Sequence, residues 1–139
     1  MSVFDTIRIA ASGLTAQRLR MDVAASNLAN AQTTRTAGGQ VGQPYQVEAV
    51  VFQAQQMGPM SAAQGVSAVA IVRPNRPNTR VYDPNNPDAD QTGFVNYPNV
   101  DVASEMTDMM GAARSYQVNS TVAQAAKQQA LDAIDLGKG

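Results

Sequence analysis

Residues 2–31 have the sequence SVFDTIRIAASGLTAQRLRMDVAASNLANA, which predicts a single long helix. Ser2 and Asp5, three positions apart, form the pattern of a capping box, in which two side chains satisfy the first free backbone amides. Apolar residues recur at heptad spacing, and the larger ones form a seam of Ile7, Leu14, Met21 and Leu28. Such a helix spans about 45 Å at 1.5 Å per residue. Because the chain has only 139 residues, so long a helix indicates a partner that runs alongside it.

A second long helix is predicted for residues 102–136. Asp101 and Glu105 favour the N-terminal end of its dipole, and Gly137 is placed to end it. Its stripe alternates steps of three and four residues along Val102, Met106, Met109, Ala113, Tyr116, Ser120, Ala123, Lys127, Ala130 and Ile134. Both ends of the chain are therefore helical and heptad-like, and a coiled pairing of the two is the economical arrangement.

The residues between the helices predict a small β region. A break rich in Thr and Gly covers residues 32–44. Residues 45–52 alternate in polarity and are rich in β-branched and aromatic side chains, and residues 66–72 form a second strand candidate. With residues 57–65 as the turn, the two strands could pair as a hairpin.

The segment of residues 73–99 is dense in Pro, Asn and Asp, which is typical of loops with short extended pieces, here 79–82 and 94–95. The predicted fold is mainly α with a small β region: long N- and C-terminal helices pair as a coiled coil, and a central β-hairpin and loop segment forms an arm. We assign residues 1–36 and 100–139 to the coiled-coil part and residues 37–99 to the central segment.

Composition excludes several classes of function. Lys and Arg number 10 against 11 Asp and Glu, and no basic face for nucleic acid is visible. The one basic cluster, Arg73, Arg76 and Arg80, lies among Pro and Asn, which favours a solvated loop over a contact with an anionic partner. The chain has no Cys and no His, which removes zinc sites, thiol nucleophiles and histidine acid–base chemistry. No apolar run approaches the roughly 18 residues needed to cross a bilayer, and Asp5 and Arg8 interrupt any signal-peptide pattern.

Three patterns that suggest ligand sites are assigned to ordinary structure. The glycine-rich run 38–42 lacks the Lys-Ser/Thr ending of a phosphate loop. Asp88 and Asp90 lie at the first offsets of a calcium loop, but its twelfth position is not Glu. Glu105 and Asp108 fit the acidic first turns of a helix, since a catalytic pair would need a cleft around it. We therefore predict an assembly protein, not an enzyme, with no catalytic residues, cofactor, metal or small-molecule substrate.

Polar residues inside the helices leave alternatives open. Asn27 and Asn30 lie near the end of the first helix, where they could cap it or could fix register across a helical interface. Met106 and Met109 fit ordinary core filling, and an inter-subunit face is the second interpretation because Met adapts to irregular gaps.

Several of these stretches resemble a known family. Ser12-Gly13-Leu14-Thr15-Ala16 and residues 22–33 (DVAASNLANAQT) resemble the N-terminal signature of flagellar axial proteins of the rod and hook. Residues 81–90 (VYDPNNPDAD), 93–95 (GFV) and 97–101 (YPNVD) resemble the central signature of the proximal-rod members. The match continues in the last helix through Glu105-Met106, Met109, residues 113–117 (ARSYQ) and Asn119. Residues 53–80 are its weakest part.

This resemblance implies a structural subunit of the proximal rod, in a helical tube that transmits torque from the inner-membrane ring to the hook and lines the export channel. The implied partners are copies of itself, other rod proteins including distal rod subunits, and adaptor proteins of the inner-membrane ring and export gate. The implied location is the basal body in the periplasmic space, reached through the flagellar type III apparatus without a cleaved signal peptide. The alternative is a coiled-coil subunit or substrate of a related type III secretion assembly.

Subunit packing is then expected at residues of both helices and of the central segment. They are Ile7, Ser12, Gly13, Leu14, Met21, Asn27, Leu28, Asn30, Phe94, Tyr97, Met106, Met109, Tyr116 and Asn119.

Overall fold

The computed structural model of the chain describes residues 2–58 and 63–137. In chain order the elements are α1 (Val3–Ala29), β1 (Ala49–Gln56), β2 (Gln64–Val72), β3 (Thr79–Tyr82), β4 (Phe94–Tyr97) and α2 (Val102–Leu136). The predicted fold class, two long helices around a small antiparallel β region, is confirmed. Among the described residues, neither helix is long and apolar enough to cross a membrane.

Local sequence explains where both helices begin. The Oγ of Ser2 accepts a hydrogen bond from the Phe4 amide at 3.3 Å, and the Asp5 carboxylate accepts one from the Ser2 amide at 2.9 Å. The predicted capping box is confirmed. At α2, the Asp101 side chain accepts from the amides of Ala103 and Ser104, so it is the N-cap itself.

The two helices pack side by side in opposite directions. Gly13 lies against Asn119, Arg20 bonds to Asp108, and Asn27 bonds to Glu105 near the end of α1 and the start of α2. In this register Val3 lies opposite position 129, so α2 continues about seven residues, or about 10 Å, beyond the start of α1.

The face of α2 that meets α1 has small side chains at its buried centre, beside the polar contacts of Glu105, Asp108 and Asn119. Ala112 and Ala126 are buried, whereas Met106 and Tyr116 are exposed. The predicted apolar stripe therefore coincides with this face only in part, since Met109, Ala123 and Ala130 are half-buried. At about 100° per residue, Met106 and Tyr116 lie about 40 to 120° around the helix from Ala112. Small residues let helix backbones approach closely, so the larger side chains remain on the flank.

β1 and β2 form an antiparallel ribbon, as predicted, but its first strand begins later than expected. We predicted a strand over residues 45–52, whereas β1 is Ala49–Gln56. The Tyr45 amide donates to the Thr33 carbonyl, and the Glu48 amide donates to the Asn27 side chain, so this stretch pairs with the end of α1. The predicted turn at residues 57–65 overlaps the start of β2, and residues 59–62 lie outside the described residues.

β3 and β4 form a second antiparallel ribbon. β3 has the predicted bounds, and β4 extends the predicted piece by two residues. Val95 is fully buried in it, and Asp88 in the connecting loop accepts a hydrogen bond from the Thr34 hydroxyl at 2.7 Å. The Arg35 guanidinium lies 3.1 Å from the other Asp88 oxygen, as an ion pair without hydrogen-bond alignment. The second ribbon is thereby tied to the segment that follows α1.

Candidate functional site

Asn27 connects α1, α2 and the start of the first ribbon. Its side chain is 1% exposed. The Nδ2 group donates to the Glu48 carbonyl at 2.8 Å and to the Glu105 carboxylate at 3.1 Å. The Oδ1 atom accepts from the Glu48 amide and from the Tyr45 hydroxyl, both at 2.9 Å. Of the two interpretations of this residue, the interface one is confirmed within the chain, because Asn27 fixes three segments relative to each other.

Asn30 has the capping role that was the alternative for both residues. It is the C-cap of α1, and its Nδ2 group donates to the Ser26 carbonyl at 2.9 Å. Its Oδ1 atom accepts from the Thr33 hydroxyl at 3.1 Å. All these contacts are local, so the capping interpretation holds for Asn30.

An ion pair joins the two helices about two turns before Asn27 on α1. The Arg20 guanidinium donates to both carboxylate oxygens of Asp108, from Nε at 2.9 Å and from a terminal nitrogen. This hydrogen bonding lowers the pKa of Asp108 and raises the pKa of Arg20. We had assigned Glu105 and Asp108 to the acidic first turns of α2, and the structure adds that both reach α1.

Two glycines allow close approach to α1. A Cβ atom on Gly13 would lie 2.6 Å from Nδ2 of Asn119, so the Asn119 side chain can lie against α1 here because Gly13 lacks a side chain. The Ser12 hydroxyl accepts from the Val66 amide at 3.1 Å, and a Cβ atom on Gly65 would lie 2.6 Å from that hydroxyl. Ser12 and Gly13 thus hold the ribbon and α2 on two sides of one helix turn.

Large apolar side chains face outward on both helices. On the flank of α2, Met106 and Tyr116 are exposed and Met109 is half-buried. Met110 on the same helix is 64% exposed, and Leu136 on the segment beyond α1 is 84% exposed. The α1 seam is half-buried at all four positions, Ile7, Leu14, Met21 and Leu28. An exposed apolar area of this extent on a small chain is typical of an interaction surface.

The aromatic residues of the second ribbon form part of its surface. Phe94 meets Tyr82 edge-on with ring centroids 5.2 Å apart, the Arg80 guanidinium lies over the Phe94 ring, and Tyr97 is half-buried. Asp90 accepts hydrogen bonds from the Thr92 hydroxyl and amide and from the Phe94 amide. These bonds, led by that from the Thr92 hydroxyl, lower the pKa of Asp90 to about 2. Asp90 therefore stabilises the turn before β4.

A metal site is not formed by the acidic residues of this loop. Within residues 2–58 and 63–137, no group of three or more acidic side chains is arranged to hold a metal ion. Asp88 and Asp90 are each engaged by hydroxyl, amide or guanidinium groups of the chain.

Sequence patterns did not identify Tyr45, Glu48 and Arg20 as residues of this site. Tyr45 and Glu48 meet Asn27 only because the chain turns back after α1, and nothing in their spacing indicates this. Arg20 and Asp108 are 88 positions apart, so their pairing depends on the helix register.

Comparisons with known proteins match both ends and the whole length of the chain. The family model described as "Flagella basal body rod protein" matches residues 7–35, and the model "Flagellar basal body rod FlgEFG protein C-terminal" matches residues 91–136. The flagellar basal-body rod protein FlgC of Escherichia coli O157:H7 is 44% identical over 138 residues, covering 99% of this chain and 100% of the relative. FlgC of Bacillus subtilis strain 168 is 39% identical over 152 residues with the same coverage, and FlgC of Borreliella burgdorferi is 36% identical over 155 residues, with both chains covered completely. The regions that hold Asn27, Gly13 and the α2 flank are those that the family models match, and the chain belongs to the family of flagellar basal-body rod proteins.

Proposed function

We propose that this chain is a structural subunit of the proximal rod of the bacterial flagellum, and that it has no enzymatic activity. Its partners are copies of itself, other rod proteins, distal rod subunits, and adaptor proteins of the inner-membrane ring and export gate. It acts in the basal body within the periplasmic space, which it reaches through the flagellar type III apparatus. In this position it lines the export channel and transmits torque.

The observation that carries this proposal is the division of α2 into two faces. Ala112 and Ala126 face α1, while Met106, Tyr116 and their neighbours remain uncovered. Burying apolar surface contributes about 25 cal/mol per Å², so covering this flank with another helix would stabilise an assembly. In a tube of axial proteins, helices of neighbouring subunits can pack on this flank.

The half-buried α1 seam supports the same role. Leu14 and Met21 keep part of their surface accessible after α2 and the first ribbon have packed. We propose that residues 1–36 and 100–139 form the inner helical layer and that residues 37–99 form an outer arm.

The test compares charged substitutions on and off the α2 flank. Met106→Asp places a charge on the uncovered flank, and Thr107→Asp places the same charge on the next, exposed residue, about 100° around the helix. Each variant replaces the chromosomal copy in a motile strain, and swimming and basal bodies in electron micrographs are scored. We expect Met106→Asp to be exported but to leave rods incomplete, because an unpaired charge is costly to bury. Thr107→Asp should swim.

Leu14→Asp tests the α1 seam in the same strain, with the neighbouring exposed residue as control in Thr15→Asp. We expect incomplete rods for Leu14→Asp only. Complete rods and normal swimming with both Leu14→Asp and Met106→Asp would refute the proposed packing.

A further inference from the structure

The two ribbons differ in how their edges are protected. Each contains only two strands, so every strand has one edge without a neighbouring strand in the described part of the chain. β3 and β4 have four residues each, Arg80 lies within β3, and Pro84 and Pro98 follow closely. Short strands, charge and proline are the usual protection against pairing with another chain. β1 has eight residues, AVVFQAQQ, with no charge and no proline.

Two contacts establish which backbone groups of β1 point away from β2. The amide and carbonyl of Glu48 both bond to the Asn27 side chain, so the backbone groups of Glu48 point away from β2. The Val66 amide bonds to Ser12, so it makes no hydrogen bond to its partner Ala54 on β1. Ala54 and Val66 are therefore a pair that is not hydrogen-bonded. Outward and inward groups alternate along an antiparallel strand. Both contacts therefore place the amides and carbonyls of Val50, Phe52 and Ala54 on the open edge.

The outer edge of β2 is less suited than that of β1 to pairing with another strand. Val51 pairs with Ala70 and Phe52 with Ala68, which makes Val69 the extra residue of a bulge. Ser12 occupies the same edge at Val66. A bulge and a side-chain contact interrupt the pairing of an edge, so β1 has the one long uninterrupted edge of this ribbon.

A crevice of about 290 Å³ adjoins this edge and indicates the chemistry of its occupant. It lies between β1 and the two helices, with Phe52 on the ribbon side and Glu105 on the α2 side. Asp108 is paired with Arg20 and Glu48 with Arg73. Glu105 accepts only the neutral amide of Asn27 among the contacts of the described residues. The crevice thus favours a cationic side chain.

We propose that β1 receives an added strand: an extended segment of an adjacent axial subunit, uncharged where it pairs with β1 and carrying a Lys or Arg that enters the crevice toward Glu105. This inference rests on the proposed function. Pairing of β1 with β1 of a second copy would require twofold symmetry, whereas a tube with a direction is built from head-to-tail contacts. The added strand also makes a three-stranded sheet, whereas two strands alone are marginally stable.

The edge is tested by changing Ala54. Ala54→Pro removes an outward amide without removing a hydrogen bond to β2, and proline is tolerated on edge strands. Ala54→Thr keeps the amide and is the matched control. We expect both purified chains to have unchanged circular dichroism, and only Ala54→Pro to abolish completed rods. Normal rods with Ala54→Pro would overturn the proposal.

Hydrogen exchange of the unsubstituted chain gives a result that does not depend on any variant. In rods isolated from cells, the amides of Val50, Phe52 and Ala54 should exchange at least about tenfold more slowly than in the monomer. Fast exchange at these amides in assembled rods would refute the added strand and leave the proposed function intact. If the chain does not enter rods at all, both inferences fail.

The choice of partner is tested at Glu105. Glu105→Gln keeps an oxygen that can accept from Asn27 and removes the charge. We expect the yield of completed rods to fall at least about fivefold, and to fall less at low salt, where the remaining charges are less screened. An unchanged yield would overturn the assignment of a cationic side chain and thus of this partner.

Discussion

Replacement of Asn27 by Ala is the sharpest test of the contacts that hold the helices to the first ribbon. The substitution removes four hydrogen bonds and leaves the Glu48 amide and carbonyl without their partners. Each buried group left without a partner costs about 1 to 3 kcal/mol. Glu48 is half-buried, so water restores part of this loss. We therefore expect the free energy of unfolding to fall by about 2 to 4 kcal/mol.

The matched control is Asn30→Ala, three residues along the same helix. Within the described residues the Asn30 side chain contacts Ser26 and Thr33, both local, so we expect a loss of about 1 kcal/mol. Urea unfolding followed by far-ultraviolet circular dichroism measures both variants. A fixed concentration of trimethylamine N-oxide should be present, because this osmolyte favours the compact state of a marginal chain. If Asn27→Ala costs no more than Asn30→Ala, the junction does not hold the chain together as described.

Four further outcomes are expected. Gly111→Ala should stabilise the monomer by about 1 kcal/mol, because the added methyl group meets no other atom. Gly13→Ala should not stabilise it, because the methyl group would clash with the Asn119 side chain. Equal effects of the two variants in urea unfolding would contradict the close helix contact. A double Ala substitution of Phe94 and Tyr97 should weaken isolated rods to heat while the monomer stays soluble, and unchanged rods would exclude these rings as anchors. The pKa of Asp90 is about 2, so this carboxylate stabilises its turn fully above its ordinary pKa near 3.8. The amide protection of the turn should therefore decline as the pH falls from about 4 to about 2, and it should not change at higher pH. In the purified monomer without the osmolyte, amides of α1 and α2 should exchange fast, and the ribbon amides that bond between β1 and β2 should exchange more slowly. Strong protection of both helices under these conditions would indicate an autonomous two-helix domain.

The sequence alone determined the elements whose causes are local. Ser2 and Asp5 start α1 through contacts within four residues, and Asp101 starts α2 in the same way. Two helices around a β region followed from these caps and from the two periodicities. The stripe through Met106 and Tyr116 is largely apolar, as predicted, but only part of it is covered by α1.

Only the tertiary structure decided how these elements meet. Asn27 and Asn30 look alike in sequence, yet one lies beneath the returning chain at Glu48 and the other caps its own helix. β1 begins four residues later than its pattern suggested, because the amides of Tyr45 and Glu48 bond to Thr33 and Asn27. The physical reason is range: a cap depends on neighbours within one turn, whereas a buried amide depends on which distant backbone groups the fold brings to it.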